Sequence, residues 1–169
     1  MGNNVITQYR TTNKLKVLTA VEDLTANTIS VINNDAYFPK REKYLFGQHI
    51  ADNALEAYEK LRFANTIFPE SRTLVQERYD TVIESEKDLS YLVSDINMMN
   101  SMIKDKDISD EKWYKNLQTK AIDTEKLMKT YRISETRRYQ RDIAKFNKSK
   151  KKAKSETETK TDDIKENVG

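Results

Sequence analysis

Residues 36–68 read AYFPKREKYLFGQHIADNALEAYEKLRFANTIF. Pro39 follows an aromatic and precedes charged helix formers, which predicts a helix start, because a proline in the first turn gives up an N–H that has no intrahelical partner anyway. From there small and apolar residues fall at Gly47, Ile50, Ala54, Ala57, Leu61, Ala64 and Phe68. Spacings of three and four keep one face of an α-helix apolar. Gly47, Ala54, Ala57 and Ala64 have little bulk, so a partner helix can come close, while Ile50, Leu61 and Phe68 supply most of the buried area. This helix is the expected packing centre.

Outward from it, the chain before Pro39 carries a second pattern. Residues 1–12 show no periodicity and are expected to fray. From Asn13 the positions Val17, Val21, Leu24, Thr28 and Val31 predict an amphipathic helix ending near Asn33-Asn34. It is rich in β-branched residues, so packing must hold it together, and a strand is the competing reading. After the stop at Phe68-Pro69, Val75, Tyr79, Val82, Leu89, Leu92 or Val93, Ile96, Met99 and Ile103 mark a long third helix. Glu86 interrupts its stripe, either at a bend or by facing solvent after a shift of phase. Lys104 to Asp107 reads as a charged turn, and Ser109-Asp110-Glu111 as a helix cap with acids at the positive end of the dipole. The fourth helix follows through Trp113 or Tyr114, Leu117, Ala121, Met128 and Tyr131, and can continue past Ser134 through Tyr139, Ile143 and Phe146.

Four long helices with short polar connections predict an all-α, antiparallel up-and-down four-helix bundle over residues 13–134. A charged extension at 135–169 is expected to be helical at first and disordered beyond Asn147, where the chain becomes low-complexity. Two prolines and three glycines are too few for a turn-rich β protein. With no apolar run of signal-peptide or membrane-span character and no cysteine, the expected setting is the cytoplasm. Met1-Gly2 does not make an acylation signal, because Ile6 stands where a hydroxyl is needed.

Catalytic constellations are scarce. His49 is the one histidine, and a lone helical histidine reads more readily as a surface or boundary residue than as a catalyst. No Cys and no second His leave metal sites without their usual ligands. Asp105 and Asp107 lack the glycine and closing glutamate of a calcium loop. With glycines only at Gly2, Gly47 and Gly169, no phosphate-cradling loop can be assembled. The expectation is a protein that is not an enzyme, with no cofactor, metal, small-molecule substrate or membrane association.

Charge is distributed unevenly. Residues 137–154 contain Arg137, Arg138, Arg141, Lys145, Lys148, Lys150, Lys151, Lys152 and Lys154 against Asp142 alone, a local charge of +8. The last fifteen residues sum to −3 and everything before 137 to −2. Nine cations with Tyr139 and Phe146 between them can neutralise phosphates and stack on unpaired bases; a solubilising tail is the plainer alternative. On the bundle, Tyr44, Phe46, Tyr58 and Phe63 cannot all face the stripe through Ile50 and Leu61, so either subunit packing or ordinary boundary burial must take up the remainder.

The pattern YFPKREKYLFGQHIADNALEAYEKLRFANTIF, with DLSYLVSDINMMNSMI and ISDEKWYKNLQ after it, resembles a small four-helix-bundle family over roughly residues 13–134. One branch comprises the accessory variability determinant (Avd) proteins of diversity-generating retroelements, the other the proteins encoded in intervening sequences of bacterial 23S ribosomal RNA genes. The aromatic-Pro-Lys-x-Glu-Lys-Tyr lead-in followed by Gln48 is its most specific part. The resemblance implies a homo-oligomer, a ring of five bundles, that associates with a reverse transcriptase and its template RNA or RNA–cDNA hybrid and supports error-prone cDNA synthesis without chemistry of its own. The intervening-sequence branch implies instead a structural or protein-interaction bundle with no polymerase partner. The family's nucleic-acid contacts come from basic surface side chains, for which Lys40, Arg41 and Lys43 are candidates here. Avd bundles are typically basic, whereas this one is not, so the extension is expected to take over the RNA contact.

Overall fold

The computed structural model describes the backbone of residues 3–38, 40–104 and 111–166, and side chains over 16–38, 40–101 and 112–149. Four helices make up the fold, with no strand among the described residues. Helix α1 is Asn3–Asn33; α2 starts as a turn at Lys40–Glu42, passes through a π-helical stretch at Lys43–Gly47 and continues as Gln48–Thr66; α3 is Arg72–Lys104; α4 is Glu111–Glu166. Pro39, Asp105-Lys106-Asp107, Ser109-Asp110 and the side chain of Ile103 lie outside the described residues.

The hydrophobic spacing explains most of the core. Val17, Val21, Leu24 and Val31 of α1 meet Ile50, Ala54, Ala57, Leu61 and Ala64 of α2; Val82, Leu89, Leu92, Ile96 and Met99 of α3 and Tyr114, Leu117, Ala121, Met128 and Tyr131 of α4 complete it. The alanines of α2 permit close approach. Thr25 Oγ1 donates to the Ala54 carbonyl at 2.9 Å and Ser85 Oγ to the Ala57 carbonyl at 2.6 Å, contacts that a larger side chain would block. At the α1–α2 corner the Asn34 side chain accepts from the Ala36 N–H while its carbonyl accepts from Tyr37 and Phe38, a local turn built on an asparagine. The Tyr114 hydroxyl donates to the Tyr37 carbonyl, and Tyr37 stacks on Trp113 with centroids 5.1 Å apart. Of the two fourth-helix candidates, Tyr114 is the buried one.

The π-helical stretch accounts for a spacing that α-helical periodicity does not. Phe38, Glu42, Gly47 and Ile50 are all buried, and the gap of five between Glu42 and Gly47 requires one widened turn. Gly47 faces the end of α1, where an added Cβ would lie 3.1 Å from Ile32 Cγ2. Tyr44, 90% exposed, and Phe63 point outward, while Phe46 and Tyr58 pack against the core.

Two expectations change. Phe68 is not a core residue: α2 leaves helical geometry at Ile67, and in extended backbone alternate side chains turn opposite ways, so Ile67 is buried and Phe68 is 73% exposed. Glu86 marks neither a break in α3 nor a solvent-facing shift; Ser85 occupies the core position, and Glu86 pairs with Arg132 Nε of α4 at 2.6 Å. Helix α1 runs from Asn3 and α4 as far as Glu166. The sequence from Lys148 to Glu166 has no glycine or proline and is rich in Lys and Glu, which favour a helix.

Polar ties join neighbouring helices along their length. Asn53 Nδ2 donates to Asp95 at 2.8 Å and Lys60 Nζ to Asp88 at 2.7 Å between α2 and α3. Asn100 Nδ2 donates to Gln118 at 2.8 Å between α3 and α4. Ser71, just before α3, accepts from the Leu74 N–H and caps that helix.

Candidate nucleic-acid interface

Helix α4 sorts its cations by face. Arg137, Arg141, Lys145 and Lys148 follow one another at intervals of four, four and three, and all are exposed. Cations so spaced recur about every 6 Å along one side of a helix. Arg141 Nε donates to the Arg137 carbonyl at 3.2 Å, and Lys145 Nζ lies 3.1 Å from Asp142 Oδ1. Ser134, Arg137, Gln140, Arg141 and Ala144 form a shallow, open depression along this side. Arg138 turns the other way: its guanidinium lies between Glu135 at 3.6 Å and Asp142 at 3.8 Å. The backbone of Lys150, Lys151, Lys152 and Lys154 continues the helix; their side chains lie outside the described residues.

Of the aromatics interleaved with these cations, Tyr139 packs inward. Tyr139 stacks on Tyr79 of α3 with centroids 4.5 Å apart, and its hydroxyl donates to Gln76 Oε1 at 2.5 Å. Phe146 is half-buried. Tyr139 thus offers no open ring to a base.

A buried polar cluster anchors the basic face. Arg78, 5% exposed, donates through Nε to Glu135 Oε2 at 2.9 Å, through Nη1 to the Ala64 and Ile67 carbonyls at 3.0 and 3.3 Å, and through Nη2 to the Tyr131 hydroxyl at 3.3 Å. The two carbonyls belong to the end of α2, where helix carbonyls lack intrahelical partners and the dipole favours a cation. Burial opposes the charge on Arg78, yet the hydrogen bond and charge of Glu135 outweigh it and raise its pKa. The Tyr131 hydroxyl donates to Asn65 at 3.2 Å, and burial, reinforced by Glu135, pushes its pKa up to about 12. Three helices thus meet at Glu135, two residues before the first exposed arginine of the stripe.

The other candidates are dispersed. Lys40 and Lys43 both approach Asp35, at 4.0 and 3.5 Å, and Lys43 also reaches the Asn33 carbonyl, so they brace the α1–α2 corner; Arg41 is exposed. His49 is exposed, 3.9 Å from Asp95. Among the described residues no group of three or more His, Cys, Asp or Glu side chains is placed to hold a metal ion, and no helix is long and apolar enough to cross a membrane. A convex cationic face on a helix can neutralise phosphates, and offers no enclosed arrangement of donors and acceptors for a reacting group.

Sequence reasoning missed Arg78, Glu135 and Phe68. The first two had a signal, since opposite charges occupy stripe positions of two helices, three residues after Val75 and four after Tyr131. No protein-family model, curated protein or solved structure matches the chain.

Proposed function

We propose that this chain is a non-catalytic accessory protein of a diversity-generating retroelement, a cytoplasmic homo-oligomer that holds template RNA or RNA–cDNA hybrid and a reverse transcriptase together during mutagenic cDNA synthesis. The observation that carries the nucleic-acid part is the alignment of Arg137, Arg141, Lys145 and Lys148 on one exposed face directly after the Arg78–Glu135 anchor. The polymerase partner and the ring of five rest on the sequence resemblance.

The scaffold in this reading is an antiparallel up-and-down bundle. The paired residues support it: as α3 numbers rise through Arg78, Glu86 and Asn100, their α4 partners fall through Glu135, Arg132 and Gln118. On α2 and α3, Asn53 with Asp95 and Lys60 with Asp88 run the same way.

A second reading, an interaction bundle of the intervening-sequence type with no polymerase partner, draws on Tyr44, Leu45, Leu55 and Phe63, apolar side chains exposed on α2. Co-purification with a reverse transcriptase encoded beside the gene separates the two. For the RNA role, the variant Arg137→Gln/Arg141→Gln/Lys148→Gln is expected to lose retention on RNA at moderate salt with its helical circular dichroism intact. Unchanged retention would remove α4 from the mechanism.

A further inference from the structure

We propose that the outward face shared by α2 and α3 around Phe63 docks an arginine- and lysine-rich surface of the polymerase partner, an inference that rests on the reverse-transcriptase partnership proposed above. Leu55, Glu56, Glu59 and Phe63 are exposed and share one side of α2, at successive spacings of one, three and four. The pairs Asn53–Asp95 and Lys60–Asp88 set the register against α3, whose numbers fall as those of α2 rise. Phe63, three residues past Lys60, therefore stands level with Glu84, four before Asp88, and Glu56 stands level with Tyr91. Glu84 and Tyr91 are exposed too. Phe63, 52% exposed, Tyr91, 50% exposed, and Leu55 thus sit among three carboxylates. Helices α1 and α3 each pack on both α2 and α4, so the exposed side of α2 is turned away from the cations of α4.

The chemistry of the face selects its occupant. Its own cations are engaged: Lys60 Nζ lies 3.0 Å from Glu56 and 2.7 Å from Asp88, and Lys87 sits over the Tyr91 ring, 5.6 Å from its centroid. Glu59 and Glu84 form no ion pair among the described residues. Carboxylates and aromatic rings both attract guanidinium and ammonium groups. They repel phosphate, which keeps RNA off this side, and a second copy laid face to face would set carboxylate against carboxylate. A polymerase has to hold the phosphates of its template, so its surface is rich in arginine and lysine. Exposed aromatics bordered by charge are the anatomy of a specific protein contact. With RNA on α4 and the polymerase on α2, the two ligands do not compete for one surface.

The test titrates the full-length chain, by biolayer interferometry, against the purified reverse transcriptase encoded beside the gene, nuclease-treated so that RNA does not bridge the two. Phe63→Ala should weaken the complex about thirtyfold, the loss of a central aromatic anchor, and should be retained on RNA as the wild type is. Glu59→Gln/Glu84→Gln should slow association about tenfold at low salt, with the difference closing at high salt. The inference is overturned if either variant binds the enzyme as the wild type does, which leaves the partnership standing. It is also overturned if either variant lowers the mass of the chain alone in light scattering, which assigns the face to a second copy. If the wild type does not bind the enzyme, the partnership falls and this inference with it. Glu59, Phe63 and Glu84 are exposed, so these substitutions leave the fold in place.

Discussion

Arg78 and Glu135 lie where apolar side chains would ordinarily be, and the difference matters because a buried charge is tolerable only while its partner stays. Arg78→Met deprives Glu135 of its countercharge and the Ala64 and Ile67 carbonyls of their donor, so urea denaturation should show a loss of about 3–5 kcal/mol. Adding Glu135→Leu should restore part of that loss, since removing both charges ends the penalty. Tyr131, in the same cluster, gives a pH signature. Its pKa of about 12 exceeds the usual value of 10.0, so the folded state holds the phenolic proton more tightly than the unfolded chain. That stabilisation is fully present below about pH 10 and is lost as pH rises towards about 12, a fall of roughly 2–3 kcal/mol that Tyr131→Phe should flatten in chemical denaturation at a series of pH values. What periodicity could and could not show is visible at this scale. Ile50, Leu61 and Met128 were legible because an apolar side chain at a stripe position has one comfortable place. Ser85, Arg78 and Phe68 were not: a polar residue enters a core only when a partner that is distant in sequence satisfies it, and the side on which Phe68 falls depends on the residue at which α2 stops.

Among the elements, α4 does two jobs with opposite faces. Tyr131, Glu135 and Tyr139 hold it against α3, leaving Arg137, Arg141, Lys145 and Lys148 outward in a register set by that packing. The grouping of cations was plain in the sequence, and so was the periodicity that continues α4 past Ser134. Which cations remain available was not, because Arg138 differs from Arg137 only in the side of the helix it occupies, where Glu135 and Asp142 meet it. Each phosphate neutralised releases counterions, so the dependence of log affinity on log salt counts contacts, at about 0.7 per phosphate on a single strand. The variant Arg137→Gln/Arg141→Gln/Lys148→Gln should therefore reduce that slope by roughly 2, whereas Arg138→Gln should leave it nearly unchanged and lower stability slightly. In α2 the widened turn at Lys43–Gly47 was beyond sequence reasoning for a related reason. A π-helical turn has no residue signature, and the spacing of five between Glu42 and Gly47 reads as a lapse in pattern until both are seen to be buried.

For the whole molecule, the decisive point is where the bundle ends and the extension begins. Composition suggests a boundary near Ser134, but the contacts of α4 with α3 run on through Glu135 and Tyr139, and Asp142 still lies beside Pro69. Truncation tests the difference directly. A chain ending at Ser134 leaves Arg78 buried without Glu135 and Tyr79 without its stacking partner, so it should lose about 3–5 kcal/mol by urea denaturation and become prone to aggregation. A chain ending at Ser149 keeps the whole cluster and the exposed Arg137, Arg141, Lys145 and Lys148, so its unfolding midpoint should match that of the full chain. Its RNA affinity should fall, because Lys150, Lys151, Lys152 and Lys154 are gone, yet remain measurable at low salt. The two truncations thus separate folding from binding: the first damages both, the second only binding. If the Ser134 truncation were instead as stable as the full chain, the Arg78–Glu135 pair would contribute nothing to holding the bundle, and the basic face would be carried by a tail whose register the core does not set.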